Sequence, residues 1–357
     1  MGKCTISKSR VPWNLSGEDI KTIYPLLLNK FETSGMLTFK PSEGGKTMVT
    51  EAIKATDIKK GNKDSVYTPL GVSVFHVHPY SCYHDADVVW GWPSGEDISQ
   101  TIAWSLKGNL LHTVFSVEGI YTIEVNPCFA KYLGKIGNDQ DADFKRGIII
   151  KWVEEIGKST HELRDVDICE KHRIIPQDWI ELVNNLKINC SVNNGEAVIN
   201  CKSCPHKEVI TDTIRNYLNY TDNHMAIPTY NVNGSVTEMV TIQKSEFLEK
   251  VKDICNTVHD FKCGETQTRG GKWKKNSIFY VDLHWHKESQ CKFTNCCSES
   301  SKPYCDYYDN WIKQSPRIQP PSKIIKLSNN LALNKHCKKT PVALKSILKH
   351  NLLINNE

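Results

Sequence analysis

The sequence predicts an α/β (α+β) fold, in which a sheet is layered with helices, and three segments support this prediction. Residues 70–78 (LGVSVFHVH) are rich in valine and alternate in polarity, which is typical of a β-strand. A helix is predicted from Ser94 to about Lys107, and residues 111–117 and 120–125 predict a pair of strands around a short turn. Strands that alternate with helices in this way are typical of a layered domain.

The other elements follow from the same kinds of signal. Ser16 is the residue type of a helix N-cap, and Pro25 is expected to interrupt the helix that begins there. The remaining predicted elements are strands over 35–40 and 47–55, a mostly helical stretch over 141–188, a helix over 245–258 and a strand over 278–283.

The composition indicates a soluble globular protein of one large or two ordinary domains. The chain has 357 residues, of which 39% are hydrophobic and 24% are charged. It contains no apolar run of the ~18 residues needed to span a bilayer and no apolar segment of a signal peptide. We therefore expect an intracellular protein, cytoplasmic or nuclear, without a transmembrane segment.

His76 and His78 are the first candidate metal ligands. Side chains of a strand alternate between its two faces, so these two imidazoles project from the same face, with Cα atoms about 7 Å apart. Histidine is also the commonest metal ligand near neutral pH. A His-x-His pair alone is weak evidence, because two packed histidines with satisfied hydrogen bonds give the same pattern.

Ser94 and Asp97 lie where a loop enters the predicted helix. The Ser-x-x-Asp pattern is also an ordinary helix cap, and alone that interpretation is favoured. Together with the histidines, however, Asp97 supplies the oxygen ligand of a zinc site with three protein ligands. Such a site leaves a fourth position for water, which is typical of catalytic zinc.

These motifs together resemble the JAMM (MPN-plus) zinc metalloprotease family, which includes deubiquitinases. The family has an upstream glutamate in a Glu-x-x-Gly-x-Leu context, and residues 31–37 (FETSGML) fit this context with Glu32 as the glutamate. The resemblance covers roughly residues 18–127. It implies an MPN-like central mixed β-sheet flanked by helices, a Zn²⁺ cofactor, and hydrolysis of isopeptide or peptide bonds in ubiquitin or ubiquitin-like conjugates.

The resemblance also implies a role for each motif residue. Zinc held by His76, His78 and Asp97 would lower the pKa of a water molecule, and Glu32 would act as the general base. Ser94 would donate a hydrogen bond to the developing oxyanion. The alternative is a non-catalytic scaffold or interaction protein with the same fold in a larger assembly, although such a protein has no need of Glu32.

One segment departs from the family pattern. Residues 79–93 separate the histidine pair from Ser94, and this interval is longer than the family usually has. We expect an aromatic and polar loop that covers the metal or shapes substrate access. Three residues in it are rival ligands that rank below Asp97, because a loop positions ligands poorly: His84, Asp85 and Asp87.

The second half of the chain is rich in cysteine. Of fourteen cysteines only three precede residue 160, and in an intracellular protein we expect metal binding or free thiols before disulfides. Cys190, Cys201, Cys204 and His206 form a candidate second, structural metal site, with free thiols as the alternative. The pair His284 and His286 is expected at the end of a final strand, with exposed imidazoles.

The predicted domain organisation follows these changes in composition. We predict a metalloprotease domain over 1–130, a mixed helical and Cys-rich accessory region over 131–315, and a basic tail over 316–357. The tail has eight lysines and arginines and one acidic residue. Such a tail is most often a solvated terminus, with binding to an acidic protein partner, nucleic acid or a membrane surface as the alternatives, and the body shows no basic bias for nucleic acid. A source in a large DNA virus is one hypothesis, since JAMM-like proteins with appended segments occur there; the protein would then lie in the host cell or the virion.

Overall fold

A six-stranded mixed sheet is the central element of the computed structural model. The structure describes residues 13–45, 47–86, 88, 90–165, 174–184, 191–193, 196–198, 207–220, 222–257 and 278–285. The strands are β1 (Trp13–Asn14), β2 (Thr33–Met36), β3 (Phe39–Pro41), β4 (Met48–Thr50), β5 (Lys59–Lys60), β6 (Ser73–Val77), β7 (Leu111–Phe115), β8 (Gly119–Val125), β9 (Ser191–Asn193), β10 (Glu196–Val198), β11 (His224–Tyr230), β12 (Val236–Gln243) and β13 (Phe279–Trp285). The helices are α1 (Gly17–Ile23), α2 (Tyr80–Asp85), α3 (Gly95–Ser105), α4 (Pro127–Lys135), α5 (Gln140–Ser159), α6 (Pro176–Asn184), α7 (Lys207–Tyr220) and α8 (Lys244–Thr257), with 3₁₀ turns at Tyr24–Leu28, Ala55–Asp57 and Thr160–Arg164.

The strand order of the central sheet is β13-β8-β7-β6-β2-β5. Only β6 and β7 run parallel, and the chain between them contains α2 and α3. The other four pairs in this sheet are antiparallel. The mixed α/β architecture, with a mixed sheet flanked by helices, confirms the predicted fold class at this level.

Two hydrophobic clusters cover the two faces of this sheet. Phe75 and Phe115 point to one face, where they pack with Ile20 and Ile23 of α1. On the other face, the larger cluster joins β7 and β8 to α3, α4 and α5 and then to later elements as far as Val281. This cluster contains residues on both sides of residue 130, so one core spans the predicted boundary between the first two regions.

Most predicted elements are confirmed in type, with shorter ends. The strand predicted over 70–78 is β6, which begins only at Ser73, where its pairing with Leu111 of β7 starts, and Val72 before it is 64% exposed. The helix after Ser94 is confirmed as α3, and the chain changes from α1 to a 3₁₀ turn before Pro25, as expected. No helix in the described part of the chain is long and apolar enough to cross a membrane.

Two expectations about the second half are corrected. His284 is buried, with 4% of its surface exposed, although β13 is the edge strand that pairs with β8, and His286 lies outside the described residues. Cys128 is disulfide-bonded, against the preference for metal binding or free thiols, whereas Cys82 is not part of a disulfide. The candidate structural metal site (Cys190, Cys201, Cys204 and His206) and the basic tail lie outside the described residues.

Candidate metal centre

β6 carries the first two candidate ligands to one face of the sheet. His76 lies in the strand and His78 follows its last residue, and both are buried. Phe75 and Val77, which alternate with the histidines, point to the opposite face and anchor the strand in its hydrophobic cluster. The alternation predicted from sequence is therefore the reason that both imidazoles meet, with ring centroids 4.7 Å apart.

Helix α3 supplies the third candidate ligand. Ser94 caps it by accepting a hydrogen bond from the Asp97 amide at 3.0 Å, and the Asp97 carboxylate accepts one from the Ser94 amide at 2.6 Å. Asp97 also lies 3.3 Å from His76 (Oδ1 to Nε2) and 3.6 Å from His78 (Oδ2 to Nε2). Asp97 can thus take part in the helix cap and face the two histidines as a candidate ligand in the same conformation.

The start of α3 is fixed by a close approach to α5. A Cβ atom on Gly157 would lie 2.4 Å from the Cα of Gly95, and one on Gly95 would lie 2.3 Å from the carbonyl oxygen of Glu154. Neither position has room for a side chain. The two glycines therefore allow α5 to hold the first turn of α3, and with it Asp97, at its distance from the histidines.

The candidate ligand groups form a small triangle, made up of the Nε2 atoms of His76 and His78 and the carboxylate of Asp97, whose two oxygens each face one histidine. The Nε2 atoms of His76 and His78 are 2.9 Å apart, and the two distances to Asp97 are those given above. Zinc with bonds of about 2.0–2.1 Å to nitrogen and oxygen has tetrahedral edges of about 3.3–3.4 Å. All three distances lie near that value, so one ion fits among these atoms with small adjustments.

Hydrogen bonds determine which nitrogen of His78 carries a proton. Its Nδ1 lies 2.8 Å from the carbonyl oxygen of Gly91, which can only accept, so Nδ1 is the donor. Gly91 is held in turn by its amide, which donates to Glu118 at 2.9 Å. Tyr83 and Tyr121 donate to the same buried carboxylate. This network directs Nε2 of His78 toward the ligand triangle.

A second network does the same for His76. The Thr101 hydroxyl donates to the Asp97 carbonyl at 2.6 Å, so its oxygen is left to accept from Nδ1 of His112 at 2.7 Å. The Nε2 atom of a neutral His112 then accepts from Nδ1 of His76 at 2.8 Å. His76 is therefore protonated on Nδ1, and its Nε2 lone pair faces the triangle.

The two Nε2 lone pairs cannot bond to each other without a cation between them. That cation is either a proton or a metal ion. Burial opposes ionisation of Asp97, but the charges and hydrogen bonds of His76 and His78 hold its pKa well below the ordinary value. Burial lowers the pKa of His78, but Asp97 and Glu32 raise it more, so the net pKa is above the ordinary value. The site thus attracts positive charge, and a proton and a metal compete for it.

His112 stays neutral in this environment. Burial, assisted by the nearby His76, lowers the pKa of His112 to about 3. A neutral imidazole has one donor and one acceptor nitrogen, which is what the Thr101–His112–His76 network requires.

Glu32 lies next to the histidines at the start of β2. Thr33 pairs with Val77, and continuing that antiparallel register brings Glu32 opposite His78. Burial raises the pKa of Glu32, although the two histidines oppose the effect. Its carboxylate forms no hydrogen bond or ion pair within the described part of the chain, so it is available to exchange a proton.

All five predicted motif residues line one cavity of about 370 Å³: Glu32, His76, His78, Ser94 and Asp97. The 79–93 segment contributes Cys82, Tyr83 and Gly91 to its wall. The tryptophans of that segment are instead buried, and Trp92 stacks on Trp179 at 5.3 Å. For the rival ligands, the side chains of His84 and Asp85, and all of Asp87, lie outside the described part of the chain.

Several residues of the site were not predicted from sequence. His112 reaches the site from β7 and Thr101 reaches it from α3. His161 and Arg164 lie in the 3₁₀ turn after α5 and line the same cavity. The alternation of β7 contains a signal for His112, since it shares a face with the buried Val114. Gly91 acts through its backbone carbonyl, for which a sequence gives no signal.

Comparison with known proteins adds no relative to this picture. No protein-family model, curated protein or solved structure matches the chain.

Proposed function

We propose that this protein is a zinc-dependent hydrolase of the JAMM type that cleaves isopeptide or peptide bonds. One observation carries the proposal: two Nε2 lone pairs and a carboxylate converge within 3.6 Å of one another in a cavity that also contains Glu32. A catalytic zinc site typically has three protein ligands of the nitrogen and oxygen types and keeps one position open.

The donor set fits zinc and supports a catalytic site more than a structural one. Structural zinc usually has four protein ligands, often cysteines, whereas His76, His78 and Asp97 are the only such group among the described residues. Bound there, zinc would lower the pKa of a water molecule and polarise a substrate carbonyl. The Gly91 and His112 networks already orient both imidazoles for it.

The remaining motif residues have chemical roles in the same cavity. The Glu32 carboxylate, with no described partner, would accept a proton from the attacking water and deliver it to the leaving amine. The Ser94 oxygen accepts from the Asp97 amide, and its own hydroxyl proton has no acceptor in the described part. That proton is available to a developing oxyanion on the substrate carbonyl.

The substrate class and the MPN-like arrangement rest on the motif resemblance. The pattern from Glu32 to Asp97 is that of enzymes acting on ubiquitin or ubiquitin-like conjugates, so such conjugates are the first substrates to test. The mixed sheet with helices on its faces is compatible with this assignment. A scaffold on the same fold is the alternative.

Metal content is the first test. Purified protein should contain zinc by elemental analysis, and the His76→Ala/His78→Ala variant should contain about one zinc ion per chain fewer. His224→Ala is a matched control, because His224 is exposed on β11. The same analysis detects iron, which two histidines and one carboxylate also bind. Absence of any metal that depends on the histidine pair would overturn the proposal.

Hydrolysis is tested on the zinc-loaded protein with ubiquitin chains and ubiquitin-like conjugates. Cleavage that a chelator abolishes, and that zinc restores, supports the enzyme. Bound zinc without cleavage of any conjugate would instead favour the scaffold alternative.

A further inference from the structure

Arg164 and His161 bring two polar groups to the wall of the metal-site cavity without a role in holding the metal. Both lie in the 3₁₀ turn that follows α5. The Nε atom of Arg164 and the Nε2 atom of His161 are buried and have no hydrogen-bond partner among the described residues. The guanidinium donates one long hydrogen bond, from Nη1 to the Trp92 carbonyl at 3.4 Å.

The charge of Arg164 has no counterion in contact with it in the described part of the chain. Two carboxylates act on Arg164 through their charge, Glu118 and Asp97, and both already have other partners. Glu118 accepts hydrogen bonds from Tyr83, Tyr121 and the Gly91 amide. Asp97 accepts from the Ser94 amide and faces the histidines. Burial lowers the pKa of Arg164, and these carboxylates oppose the effect from a distance.

A guanidinium with a buried Nε atom that has no partner, and with no counterion among the described residues, is unfavourable unless a ligand supplies the missing acceptor. The planar fork of arginine matches a carboxylate, to which it can donate two parallel hydrogen bonds. His161 is neutral, because burial and the adjacent Arg164 hold its pKa well below the ordinary value, so it adds a donor without adding charge.

We infer that Arg164, with His161 beside it, binds a carboxylate of the substrate close to the bond that is cleaved. The inference rests on the proposed function, because it places the substrate in the same cavity as the metal. Arg164 and the ligand triangle line the same cavity of about 370 Å³, so one small substrate segment can reach both. The carboxylate belongs either to a chain terminus or to an aspartate or glutamate side chain of the substrate.

Hydroxamates, which chelate zinc, provide the test because their binding does not require turnover. One probe joins a hydroxamate through a malonyl group to glycine with a free α-carboxylate, and its neutral counterpart ends in glycinamide. A second probe carries aspartate with an amidated α-carboxyl, and its counterpart carries asparagine amide. Dissociation constants of all four are measured by calorimetry on the zinc-loaded full chain.

We expect at least one carboxylate probe to bind about ten- to a hundredfold more tightly than its neutral counterpart, as for a charge-assisted hydrogen bond in a buried site. Preference within the glycine pair identifies a terminal carboxylate, and preference within the aspartate pair identifies a side chain. The preference should disappear in Arg164→Gln and be partly kept in Arg164→Lys. Arg215→Gln is the matched control, since Arg215 is partly exposed on α7.

The outcomes separate this inference from the proposed function. Equal binding of charged and neutral probes by the wild type, or a preference that persists in Arg164→Gln, would overturn the carboxylate subsite while leaving the metal centre intact. Failure of every probe to bind zinc-loaded protein would overturn the metal centre and the subsite together. The wild-type comparison alone decides the question if an Arg164 variant does not fold.

Discussion

The Nε2 atom of His112 lies 2.8 Å from Nδ1 of His76, so a residue outside the ligand triangle determines which nitrogen of His76 faces it. His112 belongs to β7, and the parallel pairing of β7 with β6 sets this distance. Its own tautomer depends on Thr101 of α3. His112 of β7 and Thr101 of α3 thus together determine the tautomer of His76.

From this network we expect His112→Phe to bind zinc about ten- to a hundredfold more weakly, because His76 loses the acceptor that fixes its tautomer. Thr101→Val should weaken binding in the same direction, and Thr101→Ser should restore it, because serine keeps the hydroxyl. Competition with a chromogenic chelator gives the affinities, and the visible spectrum of the cobalt form reports ligand geometry. Equal affinities for Thr101→Val and Thr101→Ser would show that the hydroxyl has no such role.

Glu32→Gln should separate metal binding from hydrolysis. Glutamine is similar in size but cannot accept the proton, so we expect the rate of cleavage to fall by about a hundredfold or more. Zinc content should be unchanged, since Glu32 is not part of the ligand triangle. The measurements are kcat on the conjugate that the wild type cleaves and elemental analysis of both proteins. Loss of zinc from the variant would make Glu32 a ligand.

Ser94→Ala should affect both stability and activity, and Ser16 offers a matched control. Each serine caps a helix by accepting from the amide of an aspartate three residues later, at 3.0 Å for Ser94 and 3.1 Å for Ser16. Either alanine variant should lower the free energy of unfolding by about 1 kcal/mol. Only Ser94→Ala should also lower kcat, because only that hydroxyl lies in the cavity.

Denaturant unfolding and steady-state kinetics on the two serine variants give the comparison. An equal loss of kcat in both would assign the effect to stability alone.

Gly157→Ala should displace the start of α3. Its Cβ would lie 2.4 Å from the Cα of Gly95, so the two helices must move apart, and overpacking of this kind costs about 1–3 kcal/mol. Zinc affinity should fall as well, because Asp97 moves with α3. Gly134→Ala in α4 is the control: its nearest neighbour is 3.9 Å away, and alanine in a helix is favoured. Unchanged zinc affinity in Gly157→Ala would show that α5 does not position Asp97.

Zinc affinity should decrease as the pH falls, since the proton and the metal compete for His78. Asp97 and Glu32 raise the pKa of His78, so the decrease begins above the ordinary value of about 6.5. The same shift stabilises the metal-free fold at acidic pH, and that contribution is lost as the pH rises through the raised pKa. In Asp97→Asn the decrease should begin at lower pH. Chelator competition from about pH 5.5 to about pH 8.5 checks both, and a pH-independent affinity would contradict them.

The sequence was sufficient to predict those site residues whose positions depend only on the local periodicity of one strand or helix. Two histidines at alternate positions of a valine-rich strand must share a face, and Ser94 with Asp97 must lie at a helix start. His112 and Arg164 were not predicted, because their positions depend on the register of β6 with β7 and on the path of the chain after α5. His284 was predicted to be exposed because its strand was assumed to end the sheet without burying that face.

The pairing of β13 with β8 also has a consequence for how the protein is made. All seven residues of β13 pair with β8, although β8 is synthesised far earlier in the chain. At about 5–20 residues per second, the outer edge of β8 waits on the order of ten seconds for its partner to leave the ribosome. During that interval a nascent chain presents unpaired backbone groups at one end of its sheet, which is where association with other nascent chains begins. Substitutions in β13 should therefore alter chaperone dependence and aggregation during synthesis, even where zinc binding by the folded protein is unchanged.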